Sequence, residues 1–308
     1  MQRYPKTLLT FEHWFRSEDA CREYLFRFRW PNGFCCPRCE HGQAWKTGRG
    51  LWICGQCGKE VSVTAGTVFS GSKLSLRIWF RAIWWITNQK SGISALGLQR
   101  TLGLGSYETA WVLLHKLRRV MVRPGREQLS GMVEVDETVV GGRRKRVVRG
   151  RYRGPFVDKA LVAVAAEVRG RGIGRIRLRQ MTRQSKEQIM AFIKEVIAPG
   201  SDLMTDGWVG FRDLVEMGFT HRPIVEEEEK DLDWVLPRAH RVAALLKRWL
   251  LGIHQGRVEQ KQLDYYLDEF VFRFNRRSSR SRGRLFYRLM QQAVAAKPIR
   301  YRDVIKGA

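Results

Sequence analysis

Four cysteines form two pairs, Cys36-Pro-Arg-Cys39 and Cys54-Gly-Gln-Cys57, with fourteen residues between the pairs. Two residues between thiolates let one tight turn aim both sulfurs at a single tetrahedral ion, and this spacing is that of a four-cysteine structural zinc site. Such a site is closed, so it predicts a zinc ribbon without catalysis of its own. Its work is DNA contact or the stapling of a small domain. Cys35 lies out of register, His41 is a bystander, and Cys21 falls in an earlier amphipathic stretch that reads as core.

Two aspartates carry a different chemistry. Asp136 sits in GMVEVDETVVGG and Asp206 in SDLMTDGW. Hard divalent cations, Mg²⁺ or Mn²⁺, take carboxylate oxygens. Two such ions about 4 Å apart can activate an attacking oxygen and steady a leaving one on opposite sides of a phosphate. A third contribution comes from LPRAHRVAALLKRWLLG. On a helix, positions four and seven apart nearly superimpose, so His240, Ala244 and Lys247 share a face that can meet a phosphate closely. The remaining candidates for a third ligand are the acidic run Glu226, Glu227, Glu228, Glu229, Asp231 and Asp233, with Asp233 just before the helix.

These residues need elements to hold them. Val133 and Val135 alternate with Glu134 and Asp136, as on a strand with one buried face. KALVAVAAEV reads as a nearly continuous apolar strand, GIGRIRLRQM as an alternating one, and SKEQIMAFIKEVI as a helix capped by Ser185. SDLMTDGW is a short strand ending at Asp206-Gly207. This order predicts a mixed sheet flanked by helices. If the strands of Asp136 and Asp206 are neighbours, their carboxylates converge at one sheet edge. Pro237 suits the start of the His240 helix and Gly252 its end, with Val242, Leu245, Leu246 and Trp249 as the buried stripe.

Upstream, residues 72–123 read as helical, with a short segment ending in Gly103 and Gly105 and a basic segment capped by Ser106. Helix, short helix, turn and basic helix is the order of a helix-turn-helix, and a plain helical linker is the other reading. The expected divisions are a zinc-ribbon segment at 1–70, a helical segment at 71–125, a catalytic α/β domain at 126–296 and a tail at 297–308.

Fifty-six Lys and Arg against thirty Asp and Glu give the chain a formal charge of +26. A surplus of this size repels itself unless it meets a polyanion, and double-stranded DNA is the partner it implies. The expected contacts are Arg118 and Arg119 on the basic helix, Arg143, Arg144, Lys145 and Arg146 after the first catalytic strand, Lys247 and Arg248, and Arg276 and Arg277 in FVFRFNRR. The alternation of Phe270, Phe272 and Phe274 points to packing. The start has no secretory apolar run, and the most apolar helix carries Arg77 and Arg81, so a cytoplasmic protein is expected.

Taken together, the zinc knuckles, VEVDETVVGG, TDGWVGF, the His240 helix and YLDEFVFRFNRR resemble bacterial insertion-sequence transposases of the zinc-ribbon, ISXO2-like group, across residues 10 to 295. The resemblance implies a ribonuclease-H-like catalytic domain, binding of terminal inverted repeats, metal-dependent end cleavage and strand transfer. It also implies a dimer or larger assembly on two ends and association with the nucleoid. It matches Asp136 to the aspartate of V-x-x-D-E-T and Asp206 to that of T-D-G. The third position, 34 residues after Asp206, falls on His240, with the following Lys or Arg at Lys247. Most of the wider superfamily has Glu there, and some members of this group have His or Asn. A metal-dependent nuclease or resolvase, and a zinc-ribbon regulator without catalysis, are the alternatives on sequence.

Overall fold

The computed structural model describes residues 4–123, 125–141, 159–224, 235–256 and 258–307. The chain forms two compact units, Met1–Arg123 with Ser279–Lys306, and Pro124–Ser278 with the last two residues.

The first unit begins with α1 (Leu8–Trp14) and α2 (Glu18–Arg29), capped by Thr7 and Ser17. A three-stranded sheet follows: β1 (Ala44–Lys46), β2 (Trp52–Cys54) and β3 (Glu60–Val61), in that order. The turn between β1 and β2 closes with Thr47 N–H donating to Leu51 O at 2.8 Å, and Gly50 takes a φ of 77°. Then come α3 (Leu76–Asn88), α4 (Ala95–Leu102) and α5 (Tyr107–Arg119), each started by a serine whose hydroxyl accepts an N–H of the first turn. Gly103 ends α4 in the left-handed conformation, at φ 64°.

The sequence reading carried the catalytic domain on to residue 296, and here the structure differs. Phe286, on the late helix Arg282–Ala295, is fully buried among the rings of Phe11, Phe80 and Trp84, 5.4 to 6.0 Å away. Aromatic burial of this extent dominates local packing, so the helix completes the core of the first unit.

The second unit is built on a five-stranded sheet. Its strands are β4 (Met132–Gly141), β5 (Lys159–Arg169), β6 (Gly172–Met181), β7 (Asp202–Asp206) and β8 (Thr220–Ile224). The order is β6-β5-β4-β7-β8, with β4 antiparallel to β5 and parallel to β7. The helix α6 (Lys186–Val196) and a 3-10 segment, Val209–Leu214, cover one face through Val133, Val135, Phe192 and Phe211. On the other face lie α7 (Pro237–His254) and α8 (Leu263–Phe274), packed on Val162, Val164 and Ile176. This is the mixed sheet with helices that the strand pattern predicts.

One expectation about the helices changes. The His240 helix runs through Gly252 and ends at Gln255, which takes φ 53°. The alternating Phe270, Phe272 and Phe274 fall on a helix, yet all three are buried, so the packing expected of them holds. Two polar side chains of α8 then close the outer edge of β6. Asp264 accepts the Gln180 amide at 3.1 Å, and Asn275 pairs with both backbone groups of Ile176 at 2.8 and 3.1 Å. Bonds of this kind reduce the free backbone groups that an edge strand offers to another chain. No helix among the described residues is long and apolar enough to cross a membrane.

Candidate active site

Adjacent strands bring the two aspartates together. Every pair between β4 and β7 has an offset of 70 residues, ending at Glu134↔Met204. Continued by two residues, that register sets Asp136 level with Asp206 where β7 ends. The two lie on inner strands of the sheet, at the carboxyl end of β7, beside the place where open α/β sheets bind their ligands.

The third residue comes from α7. Alternation puts Glu134 and Asp136 on the face that α7 covers. His240 Nε2 lies 3.4 Å from Asp136 Oδ2, with the His240 side chain 46% exposed and that of Asp136 16% exposed. Lys247 sits on the same exposed face of the helix, and its charge acts on Asp136.

The electrostatics of this cluster are set first by burial and then by neighbouring carboxylates. Burial raises the Asp136 carboxyl above its ordinary range, and Asp206 adds to the rise. The amide of Glu137, bonded to Oδ1 at 2.7 Å, opposes it, as do His240 and Lys247. Burial likewise pushes Glu137 up to about 7, with Asp206 and Asp136 adding to it. Glu137 Oε1 is buried and has no hydrogen-bond partner. Burial and neighbouring like charges both favour the protonated form of these carboxyls. Asp206 is held in turn by the amide of Trp208, which donates to Oδ1 at 3.2 Å.

The zinc knuckles are tighter still. Among the described residues, Cys36, Cys39, Cys54 and Cys57 are the one group of His, Cys, Asp or Glu whose ligand atoms all lie within 4.8 Å of one another. The Cys36 and Cys57 sulfurs are 3.6 Å apart, and those of Cys39 and Cys54 are 3.5 Å apart. Tetrahedral zinc, with Zn–S near 2.3 Å, needs edges of about 3.8 Å, so the donor set fits. Both knuckles turn alike. Glu40 N–H donates to Cys36 O and Gly58 N–H to Cys54 O, with φ of 60° and 65°. Gly58 takes the left-handed conformation that its turn requires. Burial alone would raise the Cys36 thiol, but the amides of Arg38 and Cys39 and the neighbouring thiols outweigh it and bring the thiol down to about 6.

The predicted DNA contacts divide. Arg118 is 1% exposed, beside the buried His115, so the expectation of a phosphate contact fails for it. Its position on the inner face of an amphipathic helix decides this. Arg119, Lys247 and Arg248 are on the surface. Arg276 lies over the Phe272 ring at 4.1 Å. Arg277 is engaged with the fold, donating to Gly174 O, Phe274 O and Ile173 O. Arg143, Arg144, Lys145, Arg146 and the acidic run 226–233 lie outside the described residues.

Two residues of the site were passed over in the sequence. Glu137 directly follows Asp136. Glu134 is fully buried and hydrogen-bonded to the start of α7. Its alternation with Asp136 was the available signal.

The matches to known families fall on these same segments. An ISXO2-like transposase domain matches residues 128–275, and a transposase zinc-ribbon domain matches residues 16–60. The chain belongs to the zinc-ribbon, ISXO2-like transposase family. The span of the ISXO2-like match falls within the second unit, and the zinc-ribbon match includes all four cysteines. An uncharacterized protein in transposable element ISH50 of Halobacterium salinarum is 28% identical over 277 residues, covering 84% of this chain and 91% of the relative.

Proposed function

We propose that this transposase binds the terminal inverted repeats of an insertion sequence and catalyses metal-dependent end cleavage followed by strand transfer. One observation carries the reading: three residues far apart in sequence, Asp136, Asp206 and His240, gather at the carboxyl end of β7 beside Lys247. The strand order, with three antiparallel strands and then two parallel ones around β4, supports a ribonuclease-H-like catalytic domain.

Asp136 and Asp206 would hold Mg²⁺ or Mn²⁺, with His240 as a third ligand or as the group that orients the attacking oxygen. Bound there, the ion supplies Lewis-acid stabilisation of charge on the scissile phosphate. The chain's own part is positional. The Trp208 amide and the Glu137 amide fix the two aspartates. His240, half exposed, can hold the proton-bearing attacking water or 3′-hydroxyl. Lys247, about two turns further along α7, meets a phosphate oxygen of the end being cut. Arg119 and Arg248 contribute sequence-independent attraction to the duplex. The pair α4 and α5, joined by the Gly103 turn, reads the end as a helix-turn-helix, and the zinc ribbon adds contact or support. Transfer of two ends calls for at least two copies of the chain.

The test supplies donor DNA with Mn²⁺ and, separately, pre-cut ends with target DNA. Nicking at the element boundary and joined product support the reading. Nicking without joining makes the chain a nuclease.

A further inference from the structure

Helix α7 carries no cap of its own. Its N-cap residue is Leu236, and Pro237 brings no N–H. All of α1 to α6 are capped by the Ser or Thr that precedes them. The first free amides of α7 belong to Arg238 and Ala239, and both donate to Glu134 Oε2, at 2.6 and 2.8 Å. Glu134 Oε1 accepts from Arg238 Nη1 at 2.9 Å. The remaining donors of Arg238 reach Gly170 O at 2.8 Å and Gly172 O at 3.3 Å, in the turn between β5 and β6.

The carboxylate of Glu134 is fully buried. An unpaired charge there would be expensive. Three charge-assisted hydrogen bonds and the positive end of the helix favour it instead. A serine at position 236 would satisfy the same amides, but it would leave the helix free to shift along the sheet. A cap delivered from β4 ties the helix to the strand. The tie is in register with the site. Glu134 lies two residues before Asp136 on one face of β4, and Ala239 directly precedes His240.

We propose that Glu134 is a positioning residue for the reaction: it fixes the first turn of α7 on β4 so that His240 meets Asp136. This rests on the reading of Asp136 and His240 given above. Glu134 acts through the helix, so its loss displaces the imidazole and leaves DNA binding alone. A misplacement of about 1 Å costs on the order of 10²-fold in rate.

The test is a double-mutant cycle in the full chain, read by joining of pre-cut ends. E134Q should lose joining on the order of 10²-fold while retaining affinity for the ends, and E134Q in an H240A background should be no slower than H240A alone. Additive losses would show a general structural role and overturn the proposal. A second readout needs no metal and no activity. The imidazole ¹⁵N resonances of His240, identified by their absence in H240A, should move in E134Q, and unmoved resonances also overturn the proposal. E134D keeps the charge with a shorter reach and should show the same two effects, so it serves if E134Q does not fold. Normal joining by H240A would instead remove the role given to His240. The imidazole signal would then still report whether Glu134 sets its position.

Discussion

His240 Nε2 lies 3.4 Å from Asp136 Oδ2 although a hundred and four positions separate them in the chain. The contact joins a strand to a helix, and it places an imidazole beside the first of the two proposed metal-binding carboxylates. Imidazole suits Mn²⁺ better than Mg²⁺. Cleavage by the wild-type protein should therefore be faster with Mn²⁺, and His240→Glu should shift the preference toward Mg²⁺. His240→Ala should lower activity on the order of 10-fold or more with either ion. Rates measured in the two metals check this, and an unchanged metal preference in His240→Glu would count against ligation by His240.

Glu137 gives a prediction about pH. Its carboxyl is raised from 4.5 to about 7, first by burial and then by Asp206 and Asp136. Between those values the folded protein holds a proton that the unfolded chain has released. The contribution of Glu137 to stability without Mg²⁺ or Mn²⁺ should therefore be fully present below about pH 4.5 and decline as pH rises toward 7. The upward shift of Asp136 acts in the same direction. Urea denaturation at pH 5 and pH 7.5 should show the decline in the wild type and a smaller one in Glu137→Gln.

Zinc removal should act on one part of the chain. The ribbon strands are only two or three residues long, too little to hold without the ion. A strong zinc chelator should open residues 35–60 to protease while the second unit stays resistant. Equal protection of the ribbon with and without the chelator would remove zinc from the account.

Gly210 is required by a ring. A Cβ there would lie 2.2 Å from the Trp208 side chain, in the turn that follows Asp206. Gly210→Ala should cost about 1–3 kcal/mol, the usual range for overpacking. It should also disturb the Trp208 amide that holds Asp206, lowering activity more than stability alone explains. Thermal melting and cleavage measured together separate the two effects.

Much of this was legible in the residues. The cysteine spacing gave the zinc site because tetrahedral ligation demands a local turn. Val133 and Val135 alternating with Glu134 and Asp136 gave the strand, because period two has few other causes. The arrangement of β4 beside β7 was not legible, since strand order depends on long-range pairing. Arg118 shows a further limit. Its charge suggested a surface, yet its place on the helix put it inside. The place of the late helix around Phe286 was not legible either, because which core an aromatic face joins depends on long-range packing. The alternation put Glu134 on the face of Asp136, but its role as the cap of α7 was not legible, because a cap supplied by a distant strand leaves no pattern at the helix start.

The central claim is that Asp136 and Asp206 form one metal-dependent site for cutting and joining DNA. Its most direct test is joining of pre-cut element ends to target DNA, with end binding measured alongside, in Asp136→Asn and Asp206→Asn. Each substitution should lower joining on the order of 10³-fold while affinity for the ends stays close to wild type. Joining that persists in either variant, or is lost only as far as binding is lost, would contradict it.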